Sequence, residues 1–223
     1  MHTRLAPLLI ALIATGCQVR TLEHTFEDPD GALRRLELSG ANGTVDVLPG
    51  EVLRVERRAE YGTASYDLTA DIDGDAAVLG ERCALPALCR VDAVVELPPG
   101  MALDVALGTG EVWLSDVDGE IVLDLGAASL TGVGLEAPRV QVLAEKVDVE
   151  LELLATPVEV AVAMEVGDAT IDLPAGSYDL DVNSGLGEVT LWNVIHDAGA
   201  DGVVEVRTGA GDVAITGLGA AAP

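Results

Sequence analysis

From Leu36 onward, apolar residues return at every second position. The pattern runs Leu36/Leu38, Val45/Val47, Leu53/Val55, Val140/Val142, Val147/Val149/Leu151/Leu153, Val158/Val160/Val162 and Val204/Val206, with Glu, Asp, Arg, Gln or Ala between them. Side chains on a strand alternate between two faces, so this period predicts half-buried β-strands. Val147 to Val162 is the stretch nearest to a helical pattern, but β-branching, strict alternation and Pro157 predict two strands there instead. Gly, Asp, Asn and Ser interrupt the alternation roughly every eight to twelve residues, the spacing of an all-β sandwich, barrel or solenoid.

The interruptions repeat. Val95-Glu96-Leu97-Pro98-Pro99-Gly100, Leu103-Asp104-Val105 and Gly108-Thr109-Gly110-Glu111-Val112 reappear as Ile171-Asp172-Leu173-Pro174-Ala175-Gly176, Leu180-Asp181-Val182 and Gly185-Leu186-Gly187-Glu188-Val189. The offset is 76 at Leu97/Leu173 and 77 from Leu103/Leu180 onward, and Leu130-Thr131-Gly132-Val133-Gly134 returns as Ile215-Thr216-Gly217-Leu218-Gly219 at offset 85. Matched strands whose spacing drifts only in the intervening loops indicate an internal duplication, 95–134 with 171–219, inside a repeat architecture. The Gly-x-Gly pairs Gly108/Gly110, Gly132/Gly134, Gly185/Gly187 and Gly209/Gly211, together with Gly43, mark corners that need positive φ or a close backbone approach. Corners recurring in successive turns predict a β-solenoid of stacked strands, with a β-sandwich as the alternative.

Composition sharpens this picture. Hydrophobic residues make up 49 % of the 223 but aromatics only 3 %, so the core is aliphatic. The formal charge is −26, which sets the surface against DNA, RNA and anionic lipid headgroups. Residues 1–16 read as an export signal: Arg4, an apolar run from Leu5 to Ile13 too short to span a bilayer, then Ala14-Thr15-Gly16-Cys17. The segment resembles a bacterial lipoprotein signal, which implies acylation of Cys17 and a membrane partner reached through those chains. Gln18 points to the outer membrane. Ala14 departs from that signal, which prefers Leu there. Residues 17–32 are expected to be the lipidated cysteine and a tether, with Thr25-Phe26 able to begin a strand, 33–219 the β domain, and 220–223 a tail. Cys83 and Cys89 remain as a pair in a compartment that permits disulfides, and are expected to bond and pin the excursion from Arg82 to Arg90.

Asn42-Gly43-Thr44-Val45-Asp46-Val47, the Val95 to Gly100 stretch, and the Gly-Glu-Val and Gly-Asp-Val steps at Gly110, Gly187 and Gly211 resemble the toastrack-type putative adhesin family of bacterial envelope proteins. The likeness covers about residues 33–218. It implies a repetitive β-helix-like scaffold on the cell envelope, with an undefined protein or glycan partner and no catalytic residues to carry over.

Little in the chain points to catalysis. His2, His24 and His196 have no metal-ligand spacing, no Gly-x-Ser-x-Gly elbow occurs, and strands rather than a helix follow Gly108-Thr109-Gly110 and Gly185-Leu186-Gly187. No cofactor, metal or catalytic residue is expected. Asp71-Ile72-Asp73-Gly74-Asp75 and Gly209-Ala210-Gly211-Asp212-Val213 approach calcium motifs and both fall short, the first because Gly74 comes two places early for an EF-hand. Arg82 stands where the first loop needs Glu, and Asp212 follows Gly211 directly. The leading expectation is a non-catalytic, lipid-anchored scaffold or adhesion module. A calcium-stabilised adhesin is the first alternative, and a carbohydrate-active β-helix enzyme using pairs such as Asp179/Asp181 or Glu150/Glu152 is the second.

Overall fold

In the computed structural model, the residues described are 19–28, 30–62, 65–85 and 89–219. Sixteen strands and no helix are found among them: β1 Arg20–Asp28, β2 Arg35–Pro49, β3 Leu53–Tyr61, β4 Tyr66–Asp73, β5 Ala76–Cys83, β6 Cys89–Leu97, β7 Ala102–Ser115, β8 Ile121–Leu135, β9 Arg139–Leu153, β10 Glu159–Val166, β11 Ala169–Pro174, β12 Ser177–Ser184, β13 Val189–Trp192, β14 Ile195–His196, β15 Val203–Ala210 and β16 Val213–Leu218.

The body is a stack of rungs in parallel register. Strands β2, β7, β8 and β9 are each one long rung with a corner near the middle, while β10/β11, β12/β13 and β15/β16 are rungs broken at that corner. On both halves of each rung alternate residues point inward, and the two inner faces share one core. In β7, for example, Leu103, Val105 and Leu107 before the corner and Val112 and Leu114 after it belong to the same buried cluster. The fold is thus a stacked solenoid whose cross-section has two facing strands.

Glycines form the corner. Gly43, Gly110, Gly167, Gly211 and Gly187 have φ of +153°, +140°, +140°, +139° and +157°. A Cβ on any of them would come within 3.0 Å of the carbonyl oxygen of the neighbouring rung, respectively that of Val91, Gly43, Val147, Gly167 and Gly211. Two residues earlier, Gly108, Gly185 and Gly209 have no such φ, yet a Cβ there would meet the carbonyls of Ala41, Gly209 and Glu165. In each Gly-x-Gly the first glycine permits close approach and the second permits both approach and dihedral. Gly132 and Gly134 lie elsewhere, at the far end of β8, where a Cβ would meet Leu135 and Leu151, or Asp116.

Carboxylates reinforce this corner. Main-chain N–H groups of Thr44, Asp168, Asp212 and Glu188 donate to Asp92 Oδ1 (3.0 Å), Asp148 Oδ1 (3.2 Å), Asp168 Oδ1 (2.8 Å) and Asp212 Oδ1 (2.8 Å). Each joins one rung to the next by a charge-assisted bond. Asp212, which the sequence set in a calcium-like step, is an element of this ladder.

Two features depart from simple expectation. Residues 20–28 of the expected tether form a full strand, β1, paired antiparallel with β3 throughout. Only Leu22 and Phe26 supply apolar contacts there, so main-chain pairing rather than a hydrophobic period holds it. The rungs also do not stack in chain order. The last, β15/β16, pairs with β10/β11 on one side and β12/β13 on the other. The chain passes over one position, builds β12/β13, and returns to fill the gap.

The duplication survives this reordering. Asp116 (φ 52°) and Asn193 (φ 54°) are the two positive-φ residues other than glycine among those described, and they stand at offset 77.

Gly110→Val should cost at least about 2 kcal/mol, because strain and a backbone clash coincide. Gly74→Ala, at a hairpin tip with φ +63° and nothing within 4 Å of the added carbon, should cost about 1 kcal/mol. Chemical denaturation of both variants checks this, and equal losses would refute the corner model.

Candidate interaction surfaces

The two ends of the stack are built differently. At the β1 end the rung pattern stops: β2 pairs with β5 along Arg35–Leu38 and with β6 from Val45, and β6, β3 and β1 follow in antiparallel order. The outermost strand carries exposed Glu23 and Glu27, a polar edge that discourages further pairing.

Beneath this cap Arg57 is 2 % exposed. Its Nη1 donates to Gly80 O (3.0 Å) and its Nη2 to Thr69 O (3.0 Å) and His24 Nδ1 (3.1 Å). Tyr66 hydroxyl donates to Glu81 Oε2 (2.9 Å), while Ala41 N–H donates to Glu81 Oε1. Cys83 and Cys89 are joined by a disulfide with Cα atoms 6.5 Å apart, tying the end of β5 to the start of β6. Where β5 leaves β2, an open cleft of about 470 Å³ is lined by Ser39, Ala41, Glu81, Ala106, Gly108 and Asp124. Its floor is small residues, and Glu81 is already committed to Tyr66 and Ala41.

The opposite end is unclosed. Val189 and Leu191 are in register with Val213 and Ile215, which are 1 % and 0 % exposed, yet themselves are 42 % and 45 % exposed. They are core positions with no rung above them. Leu180 and Val182 continue the same face and are half-buried. Leu186 (75 %), Trp192 (70 %) and Ile195 surround it.

Asp197 N–H donates to Tyr178 O and Leu180 N–H to His196 Nδ1 (3.1 Å), so β14 and its histidine occupy the start of the β12 edge. Beyond Leu180, and along all of β13, no neighbouring strand lies on that side among the described residues.

The remaining sequence candidates are dispersed. Cys17, His2 and the tail 220–223 lie outside the described residues. Asp181 is ion-paired with Arg207 (2.6 Å), and Glu150 and Glu152 lie on the outward face of β9. Asp46 is held above the usual carboxylate range, by burial first and then by Asp92 and Glu111. Among the described residues, no group of three or more His, Cys, Asp or Glu is arranged to hold a metal ion. The open end was missed in the sequence because Val189 and Leu191 read as ordinary core. Its one signal was apolar Leu186 inside a Gly-x-Gly corner.

A protein of known structure shares this architecture. A putative cell adhesion protein from Clostridium sporogenes superposes with a TM-score of 0.53 at 16 % identity, covering 88 % of this chain and 99 % of its own. The likeness establishes a common fold, the stacked all-β class that the toastrack resemblance implies. Putative adhesins from Bacteroides fragilis (8 % identity, 89 % and 97 % coverage) and Parabacteroides merdae (12 %, 90 % and 97 %) superpose with TM-scores of 0.37. No family model and no curated protein matches the sequence.

The cap generates a pH prediction. Burial, and then the Arg57 charge, hold the His24 pKa below its ordinary value. Protonation would remove the acceptor that Arg57 uses and set two cations together. With the folded pKa depressed, this contribution is intact above the unfolded value of about 6.5. It is lost as pH falls through that value and then through the folded pKa. The melting temperature should therefore drop between about pH 7 and 5.5, above the range in which ordinary carboxylates titrate. His24→Gln should flatten the drop, and identical pH profiles for the two proteins would refute it.

Proposed function

We propose that this chain is a lipid-anchored, non-catalytic envelope protein that presents a rigid β-stack as an interaction or adhesion module. One observation carries the reading: the sheet order puts β1 at one extreme and β12, with the two-residue β14 on part of its edge, at the other, beside β13. Nine inter-strand steps separate β1 from β12 in that order, roughly 40 Å at ordinary strand spacing. An acyl anchor on Cys17, a few residues before Arg20, would hold the capped end at the membrane and carry the apolar open end away from it. Two or more acyl chains would make that attachment stable. The fold shared with the Clostridium cell adhesion protein supports the module half of the reading.

The surface charge fits such a role. Arg54 with Glu27 and Glu56, Arg90 with Asp92, and Arg207 with Asp181 and Glu205 neutralise several of the arginines in exposed, solvent-screened pairs that add little to stability. The excess acid remains as a field that repels anionic headgroups and restricts nonspecific contact.

Metabolic fatty-acid labelling and intact mass of membrane-recovered protein, beside a Cys17→Ala control, test the anchor. The expected result is an acylated N-terminus at Cys17 and a released, unlabelled Cys17→Ala protein. An unlabelled wild type found in the soluble fraction would overturn it.

A further inference from the structure

We infer that the open end formed by β12 and β13 is a self-association surface, and that its partner is the same end of a second copy of this chain. The inference rests on the module reading above and names the partner of its distal end.

The end lacks one specific thing, namely another rung. Val189 and Leu191, with Leu180 and Val182 beside them, are inward-facing residues of both half-rungs, and the columns they terminate are fully buried one rung further in. Main-chain groups are exposed in the same place. In a parallel pair, alternate residues point their N–H and C=O toward opposite neighbours. Asp179 and Gly185 N–H donate to Gly202 O and Thr208 O in the β15 rung, and Glu188 O accepts from Val213 N–H. Odd-numbered residues of β12 and even-numbered residues of β13 therefore face inward along the stack, leaving Val182, Val189 and Leu191 to offer main-chain groups at the open edge. A complement must supply strand edges and an apolar interior at once, on a cross-section of two facing strands.

The terminal rung of a second copy has that cross-section. Related by a twofold axis, two such rungs meet edge to edge as antiparallel strands and merge their cores. With β14 covering β12 as far as Leu180, about four residues of that half-rung and about eight of the facing one, 185–192, are free; at about 3.3 Å per residue and about 10 Å per layer each copy contributes about 400 Å² and the pair about 800 Å², the size of a weak, concentration-dependent interface. The other end of the molecule finishes in the charged antiparallel strand β1, which offers no matching rung, so association closes at two rather than growing into a filament.

Each copy carries a formal charge of −26, which opposes the pairing. Salt should therefore strengthen it, the reverse of an association driven by opposite charges.

Sedimentation of the exported full-length chain, extracted in mild detergent, tests the inference across protein concentrations up to about 100 μM and from about 0.05 to about 0.5 M NaCl. The expected result is a monomer–dimer equilibrium whose dissociation constant falls several-fold with salt. Leu191→Glu should abolish the dimer while leaving the melting temperature of the monomer within a few degrees, since that side chain is already half-exposed. Leu143→Glu, which adds the same charge at an exposed site on β9, should leave dimerisation within about twofold of wild type. A wild-type monomer throughout at high salt, or a dimer indifferent to Leu191→Glu, would overturn self-pairing. Neither outcome bears on the acyl anchor, which the labelling experiment reads separately.

Discussion

Everything in this molecule depends on how closely one rung's backbone passes over the next at the corner. Where Gly43, Gly110, Gly167, Gly211 and Gly187 turn, the carbonyl of the adjacent rung occupies the space a side chain would take. Strand spacing cannot relax there without breaking the parallel ladder on both sides of the bend. Ala128 and Val147 occupy the same column in β8 and β9 without positive φ, so the bend is gentler through the middle of the stack, where both strands run unbroken through fifteen residues. Corner sharpness is thus set rung by rung: the broken rungs β10/β11, β12/β13 and β15/β16 all have glycine at the bend, as do the unbroken β2 and β7, whereas β8 and β9 do not. The carboxylates that follow, Asp148, Asp168 and Asp212, turn the same corner into a bonded column. An acidic residue just past the bend, after Val147, Gly167 and Gly211, is therefore structural in three rungs, and part of the large negative charge belongs to the framework.

Much of this was legible before any coordinates. A period of two with β-branched residues fixes strands locally, because a one-residue slip would turn an apolar face to water. The Gly-x-Gly pairs identified the corner because no other residue tolerates both the dihedral and the approach. Gly126 and Gly167 escaped notice, since neither has a second glycine two residues away to complete the pattern. Strand β1 was hidden for a different reason: an edge strand that buries only one shallow face needs little hydrophobic period. Arg57 could not be recognised either. It stands in phase with Leu53, Val55 and Ala59 but between Glu56 and Arg58, so it reads as part of a solvated charged run; the Thr69 and Gly80 carbonyls of β4 and β5 are what receive its guanidinium.

Pairing order is the property that local pattern does not encode. Every rung carries the same alternation and corner, so any rung could in principle stack on any other. The connections differ. Residues 154–158 carry the chain from β9 to the adjacent β10, 175–176 carry it from β11 past one position to β12, and Asn193 to Gly202 provides enough chain to carry the last rung back past β12 into that gap. Tyr178, the largest fully buried side chain, sits at the head of β12 with its hydroxyl on Pro174 O (2.7 Å), and a Cβ on Gly202 would touch its ring. That aromatic and that glycine form the point about which the returning strand enters.

This reordering accounts for the asymmetry of the two ends. In a solenoid stacked in chain order, the final rung is outermost and can carry polar substitutions on its exposed face. Here the rung 177–192 is outermost, yet apart from Ser184 in place of Leu107 it keeps the inward apolar positions of an interior rung of the first half, with Val189 and Leu191 standing where Val112 and Leu114 are fully buried. Duplication supplied an interior sequence, and the returning strand placed it at a surface. Until β15/β16 is inserted, β12/β13 has only the two-residue β14 on its edges, so the outer rung is held by chain that follows it. The least covered part of the core is consequently also the part whose local stability rests on a single neighbouring rung. Shedding that exposure requires covering the end rather than altering the strands beneath it, because the residues concerned already have the alternation that burial demands.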